Sequence, residues 1–381
     1  MRCSLRASAT PTSKCDVLIV GGGPAGSTSA IALARMGISV VVVNSAPQRL
    51  RVGEISLPGT FAPLSLTDSQ DLNWSSDTLG CPVDFFSSSW NSEGVDTRDV
   101  RFWGATRGCS IDRSVLSERF RQVACGEGAR FHEGVKVLSG STNGILWLVD
   151  CLADNRPLHF EARFVVEATG RAAHSVFQPD VKRIYFDQLM CVSATAEGAS
   201  SDRLTAHVEA TQDGWWYSAP LPDGQRFTAF FTDADLLRNG ETRTSMLKRA
   251  AQHATQTHLK DIDYFARRAS TCDARTSGRS VIWRKRWLSI GDAAWTVDPL
   301  SGAGIKLAIQ DGMDAASAIE RFIRNDTQET LRTHAVRRAE AFREALATQH
   351  DYYRIVQRWP AAPFWQRRRL HGLHAASPVR L

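Results

Sequence analysis

Apolar residues fall in runs whose lengths predict alternating strands and helices. Val17-Leu18-Ile19-Val20 reads as a short buried strand, Gly21-Gly22-Gly23-Pro24-Ala25-Gly26 turns it into an apolar helix through Met36, and Ile38 to Val43 closes a βαβ unit. Ser65 to Asp99, rich in Ser, Asp, Asn and Trp with little helical period, predicts loops and short strands. Ile111 to Cys125 predicts a helix, and Gly134 to Asp150 and Leu158 to Glu167 predict strands, with Asn143-Gly144 as a hairpin turn. Strand-like runs at Leu189 to Ala194 and Phe227 to Thr232 flank a helical stretch from Thr242 toward His258. Ala303 to Phe322 repeats apolar residues at the helical period, and Thr327 to Arg369 continues helical until Pro360 and Pro363 break it.

Two segments carry chemistry. Gly21-x-Gly23-x-x-Gly26 stands between a strand and a helix, where Gly21 permits the tight turn, Gly23 lets backbone approach a pyrophosphate, and Gly26 lets helix and sheet pack closely. Far downstream, Gly291-Asp292 and the turn Pro299-Leu300-Ser301-Gly302-Ala303-Gly304 precede a helix. An Asp at a strand end accepts hydrogen bonds from a hydroxylated chain, and a Pro/Gly turn feeding a helix aims N–H groups at electron-rich ligand atoms. The pair suits a flavin dinucleotide.

With both segments in hand, the chain from about Asp16 to Trp365 resembles the FAD-dependent monooxygenases of the p-hydroxybenzoate hydroxylase fold, a family that includes the flavin-dependent tryptophan halogenases. The resemblance implies an α/β fold: a Rossmann-like FAD-binding domain (15–64, 105–174 and 285–326) interleaved with a β-sheet substrate domain (65–104 and 175–284), followed by C-terminal helices (327–381). It assigns Gly21, Gly23 and Gly26 to the pyrophosphate, Arg51 and Arg113 to the cofactor, Asp292 to the ribityl chain, and Gly302, Ala303 and Gly304 to the isoalloxazine pyrimidine. Val165 to Arg171 matches the strand returning to the adenosine side. Asn44 stands where an acid normally accepts the ribose hydroxyls, which implies a weaker hold on FAD.

The catalytic pocket is expected between the substrate sheet and the flavin ring, with Glu54, Trp216, Tyr217 and Pro299 as its candidate residues. In this family reduced FAD captures dioxygen as a C4a-hydroperoxide, while the protein orients the substrate and excludes water. Halogenases add a lysine after the Gly-Glu loop. The matching loop here, Arg51-Val52-Gly53-Glu54-Ile55-Ser56-Leu57-Pro58, has none, and no lysine occurs between Lys14 and Lys136. The halogenase W-x-W-x-I-P marker is altered to Trp215-Trp216-Tyr217-Ser218-Ala219-Pro220, readable either as a pocket wall or as strand core. Together with Tyr352-Tyr353, Arg358-Trp359-Pro360 and Phe364-Trp365, these features resemble the branch that hydroxylates tryptophan in partner proteins during tryptophylquinone biogenesis. Glu54 could serve as base toward an indole N–H or cap backbone amides, and Asp298 could act likewise or sit as an acid at a helix N-terminus.

The expected activity is therefore FAD-dependent hydroxylation of an indole ring in a polypeptide client, with electrons from NAD(P)H or from reduced flavin supplied by a reductase. Hydroxylation of a small aromatic metabolite, halogenation, double-bond reduction and a non-catalytic flavin-binding maturation role are the alternatives. Composition narrows the field further. The chain has 381 residues with net charge +6, and its basic residues form no nucleic-acid stripe. No apolar run is long enough to span a bilayer, and residues 1–14 lack the apolar centre of a secretory signal and read as a disordered leader. The eight cysteines show no C-x-x-C pair or metal-ligand spacing, which reads as reduced thiols of a cytoplasmic protein without a metal; Cys15 and Cys191 look like small hydrophobes. The densest basic group, Arg358 and Arg367 to Arg369 among Trp359, Phe364 and Trp365, is either a helix end pinned by its aromatics or a dock for an acidic partner.

Overall fold

A computed structural model describes residues 12–45, 54–65, 74–103, 107–172, 175–196, 204–237, 241–255, 259 and 269–371. The first sheet is built around the N-terminal strand Thr12–Val20, whose four valine-rich partner positions explain its depth in the core. It pairs in parallel with Val40–Asn44 on one side and Arg156–Glu167 on the other. Arg130–Glu133 and Trp287–Ser289 extend the parallel set, and the antiparallel edge strand Trp283–Arg284 with the hairpin strands Val135–Thr142 and Trp147–Ala153 complete eight strands. Residues 12–14, expected in a leader, already belong to the first strand, with Lys14 opposite Glu161.

The helices Pro24–Arg35, Arg113–Gly126 and Gly304–Asn325 cover this sheet with an apolar cluster that includes Ile31, Leu33, Phe120, Ile309 and Phe322. A second layer is a seven-stranded sheet in the order Ser270–Asp273, Leu189–Ala196, Arg226–Asp233, Gly214–Pro220, Thr205–Thr211, Phe85–Ser89, Asp96–Asp99. Alternation along its strands decides what each face meets. Trp215, Tyr217 and Cys191 belong to a cluster that includes Leu300, Tyr353, Phe364 and Trp365; Trp216, Val192 and Phe230 pack on the helix Arg243–Ala251.

Two three-stranded sheets bridge the layers: Glu54–Ser56 with Gly108–Ile111 and Gly80–Val83, and Arg183–Tyr185 with Ser277–Arg279 and Trp295–Thr296. The fold is thus α/β, with a dinucleotide-binding sheet interleaved with a β-rich layer.

The C-terminal part departs from expectation in one respect. The long helix Glu329–Ile355 ends before Pro360, and Pro363 opens a further helix, Pro363–His371, because proline is compatible with a first helical turn. That helix is anchored inward. Trp365 is fully buried and donates from its ring nitrogen to Thr211 O at 2.9 Å, while Arg368 is buried on Asp233 at 2.7 Å. Arg367 reaches Asp233 and Asp235, and Arg358 lies over the Trp359 ring. The pinned-helix reading of this group holds, and its arginines are engaged within the fold.

Candidate functional site

The glycines of the first turn do different work. At Gly21, φ is +112° and an added Cβ would lie 2.1 Å from Ala168 O; at Gly26 it would lie 2.0 Å from Gly21 O. Both positions exclude a side chain because strand ends and helix touch backbone to backbone. A Cβ on Gly23 would meet nothing within 4 Å, so this glycine opens onto free space, as backbone approach by a pyrophosphate requires. The helix behind it starts at Pro24 with no side-chain cap and no acidic residue in its first turn, which leaves its N–H groups to a ligand.

A second uncapped helix meets the first. Gly302 takes a left-handed conformation (φ 61°), Ala303 supplies no side-chain cap, and Gly304 begins the helix through Asn325. A Cβ at Gly312 of this helix would come within 2.4 Å of Ala25 O, and one at Gly291 within 2.7 Å of the Ala25 side chain. Close packing of small residues thus draws the Gly291-Asp292 turn to the start of the first helix. Gly291, Asp292, Gly304, Leu307, Arg338 and Phe342 line one cleft.

Charged groups fix this turn. Asp311, buried on the second helix, accepts the Gly291 N–H at 2.5 Å and pairs with Arg338 at 3.1 Å and His334 at 3.3 Å. Burial opposes its charge, but Arg338 and His334 outweigh it and hold the carboxyl at about 2. Arg183 donates to the carbonyls of Asp292 (2.8 Å) and Ala293 (2.9 Å). The Asp292 carboxylate itself, 45% exposed, pairs with Arg171 at 3.4 Å. Arg113 pairs with Glu54, donating to Oε1 at 2.6 Å. Glu54 therefore holds an arginine. Burial first, and then the Glu54 charge, push the Tyr217 phenol well above its usual value, so Tyr217 stays a neutral donor beside this carboxylate.

The Pro299 turn rests on Asp298. This buried carboxyl accepts the Leu300 N–H at 2.9 Å and the Tyr353 hydroxyl at 2.7 Å, and the Tyr353 oxygen accepts the Trp215 ring N–H at 3.0 Å. Burial and the neighbouring Asp187 raise Asp298 to about 6. A hydrogen-bonded chain therefore runs from the seven-stranded sheet, through the helix Glu329–Ile355, to the turn.

Several expected residues change role. Asn44 accepts the Gly22 N–H at 3.1 Å and donates to Glu133 at 2.9 Å, so its amide braces the glycine turn, and the carboxylate at this sheet end belongs to Glu133, its partner in register. Trp216 is 1% exposed and lies on the sheet face away from Tyr217; successive strand residues alternate, so the pocket-wall reading is left to Tyr217. Arg51 lies outside the described residues. Burial pushes the Cys15 thiol up to about 12, in keeping with an inert core cysteine. Asp311, Arg183 and Glu133 were not singled out from sequence, because single charged residues in helices and strands carry no local signature.

Two uncapped helix starts, an open glycine, and a carboxylate held at the edge of the groove fit a flavin dinucleotide, and the fold and site define an FAD-dependent oxidoreductase. The comparisons agree. A model for FAD-dependent oxidoreductases matches residues 16–178, and one for tryptophan halogenases matches residues 104–378. The chain belongs to the tryptophan halogenase family. It is 24% identical over 367 residues to LodB of Marinomonas mediterranea, described by its name only as an FAD-dependent oxidoreductase, covering 93% of this chain and 96% of that one. A 1H-pyrrole-2-carbonyl-[peptidyl-carrier protein] chlorinase of Pseudomonas fluorescens is also 24% identical, covering 84% and 79%. Among solved structures, the myxobacterial chondrochloren halogenase CndH superposes with TM-score 0.79 at 20% identity, covering 93% of this chain and 86% of its own. The peptidyl tryptophan dihydroxylase QhpG, essential for tryptophylquinone cofactor biogenesis, gives 0.75 at 22% identity, covering 93% and 79%. No helix among the described residues is long and apolar enough to cross a membrane.

Proposed function

We propose that this enzyme hydroxylates the indole ring of a tryptophan held in a polypeptide. The observation that carries the reading is the halogenase lysine that this chain lacks: residues 15–135 contain no lysine, and the matching segment carries Glu54, paired with Arg113. Without that amine, nothing at the matching position carries an oxidising halogen equivalent to a substrate. The likeness to a peptidyl tryptophan dihydroxylase supports the polypeptide substrate, while the halogenases among the relatives keep halogenation as the competing reading.

Bound FAD, once reduced, supplies the activated oxygen. Gly21, Gly23 and Gly26 would hold its pyrophosphate, Asp292 its ribityl chain, and Gly302 to Gly304 its ring. The chain's own residues then orient the substrate: Tyr217 offers an aromatic face and a neutral hydroxyl, and Glu54 offers a carboxylate that can accept the indole N–H proton or hydrogen-bond it in place. The leaving position of the proton is thereby set beside Arg113, which stabilises the charge on Glu54. Reducing equivalents come from NAD(P)H or from reduced flavin delivered by a reductase.

Trp365 and Arg368 of the basic C-terminal helix are held within the fold. The test is oxygen-dependent mass gain, about 16 Da per inserted oxygen atom, on a tryptophan-containing polypeptide and on free tryptophan, each with the full-length protein. A polypeptide substrate contributes remote binding energy that positions the ring, so turnover on free tryptophan should fall along with affinity. Equal or better turnover on the free amino acid refutes the polypeptide assignment.

A further inference from the structure

The strand Ser270–Asp273 forms one edge of the seven-stranded sheet, and its Cys272 stands directly opposite Cys191 of the neighbouring strand Leu189–Ala196. Residues opposed in an antiparallel pair share a face, so both thiols lie on the side that carries Trp215, Tyr217 and Leu300. The two differ in access: Cys191 is 3% exposed, whereas Cys272 is exposed. Both are free, and they are close enough to hydrogen-bond each other.

Opposed Cβ atoms in such pairs lie about 4.5–5.5 Å apart, and a disulfide needs about 3.5–4.5 Å. The required approach is small, and a strand that among the described residues pairs on one side only can make it. Charge favours the exposed member as the attacking group. The hydrogen bond with Cys191 and the nearby Arg171 guanidinium hold the Cys272 thiol below its usual value, while Cys191 is raised. The remaining described cysteines lack this combination: Cys125 is exposed but on a helix with no cysteine opposite it, burial raises the half-buried Cys81, which stands opposite Ser110, and burial pushes Cys15, Cys109 and Cys151 up to about 12.

We propose that Cys191 and Cys272 are a reversible redox pair, oxidised to a cross-strand disulfide by peroxide. The Cys272 thiolate attacks hydrogen peroxide, breaking its O–O bond to give a sulfenic acid and hydroxide. The Cys191 sulfur then attacks the sulfenic sulfur, forming the S–S bond; the thiol proton and the departing hydroxyl leave as water. Two electrons pass from the two thiols to one peroxide, and a dithiol reductant reverses the step. The pair lies on a segment that matters to the site, because the chain from Asp273 continues to Arg275, whose carbonyl accepts from Arg171 and from Thr296 at 2.9 Å each.

The experiment is peptide mapping by mass spectrometry without reduction, after hydrogen peroxide and then alkylation of free thiols. The expected product is a pair of peptides joined through Cys191 and Cys272, lighter by about 2 Da than their sum, which dithiothreitol separates again. Cys272→Ser should lose the link and leave Cys191 unoxidised, whereas Cys191→Ser should leave Cys272 as a sulfenic or sulfinic acid. Two observations overturn the proposal: Cys191 and Cys272 both alkylated at a peroxide dose that oxidises Cys125, or Cys272 over-oxidised in the unsubstituted protein with no link to Cys191. Peroxide is added directly, so the result is independent of the hydroxylation reading.

Discussion

Replacing Asp311 by Asn removes one charge and little volume from beneath the flavin turn. The amide can still accept the Gly291 N–H, so the substitution isolates the ionic part of the site. In the folded protein the carboxyl is held at about 2 against a usual 3.8, a difference worth about 2 to 3 kcal/mol at neutral pH. Its partner magnifies the loss: Arg338 is 12% exposed, so Asn at 311 leaves a buried guanidinium without a counter-charge, a situation that costs about 3 to 5 kcal/mol. Stability should therefore fall by about 2 to 5 kcal/mol in denaturant unfolding. FAD affinity should weaken by at least ~10-fold, read from quenching of flavin fluorescence, because the turn carrying Asp292 loses its anchor. The sign with pH follows from the lowered value: the stabilisation is fully present above about pH 4 and is lost as pH falls through about 2, so the variant should lack this acid-side slope. The double variant Asp311→Asn, Arg338→Met should recover part of the loss by removing the stranded cation. Unchanged stability and flavin affinity in Asp311→Asn would refute the reasoning, and a double variant worse than the sum of the singles would refute the ionic account.

Three further outcomes are expected. Asp292→Ala should weaken FAD by about 10- to 150-fold, from loss of a charge-assisted hydrogen bond of about 1.5–3 kcal/mol; equal affinity by titration would remove Asp292 from the cofactor site. Asp298, raised to about 6 by burial and by Asp187, should make the protein lose about 3 kcal/mol of stability as pH rises from about 4 through 6, since the folded state prefers the protonated form; Asp298→Asn should flatten that part of the curve. Trp365→Ala should destabilise by about 3 to 5 kcal/mol in the same denaturant assay, because the ring is fully buried against Tyr353, Phe364 and Trp359; a variant of unchanged stability would return this helix to the role of an exposed dock.

What could be read from the chain beforehand was what local pattern encodes. Val17 to Gly26 announces its strand, turn and helix within ten residues, and Gly291-Asp292 with the Pro299 turn does so again, so the α/β class and the flavin fold were legible. The hairpin at Asn143-Gly144 was legible for the same reason. Contacts between distant residues were not. Arg113 meets Glu54 across 59 positions, and Asp311 meets the Gly291 N–H from a helix face that reads in sequence as ordinary solvated charge. The hydrogen bonds of Asn44 with Gly22 and Glu133 were not legible either, because nothing local in the sequence shows them. The double tryptophan was ambiguous because period-two alternation places Trp215 and Trp216 on opposite faces, and only the packed neighbours decide which face meets the Pro299 turn. Pro363 read as a breaker because proline ends one helix and begins another with equal ease.

The central claim is oxygen insertion by a family member that lacks the halogenase lysine. It is tested most directly by supplying the full-length protein with reduced FAD, dioxygen and a tryptophan-containing polypeptide, with and without excess bromide, and weighing the product by mass spectrometry. The expected product is the same oxygen-bearing polypeptide in both samples, with a gain of about 16 or 32 Da; an enzyme-dependent brominated tryptophan would overturn the hydroxylase assignment.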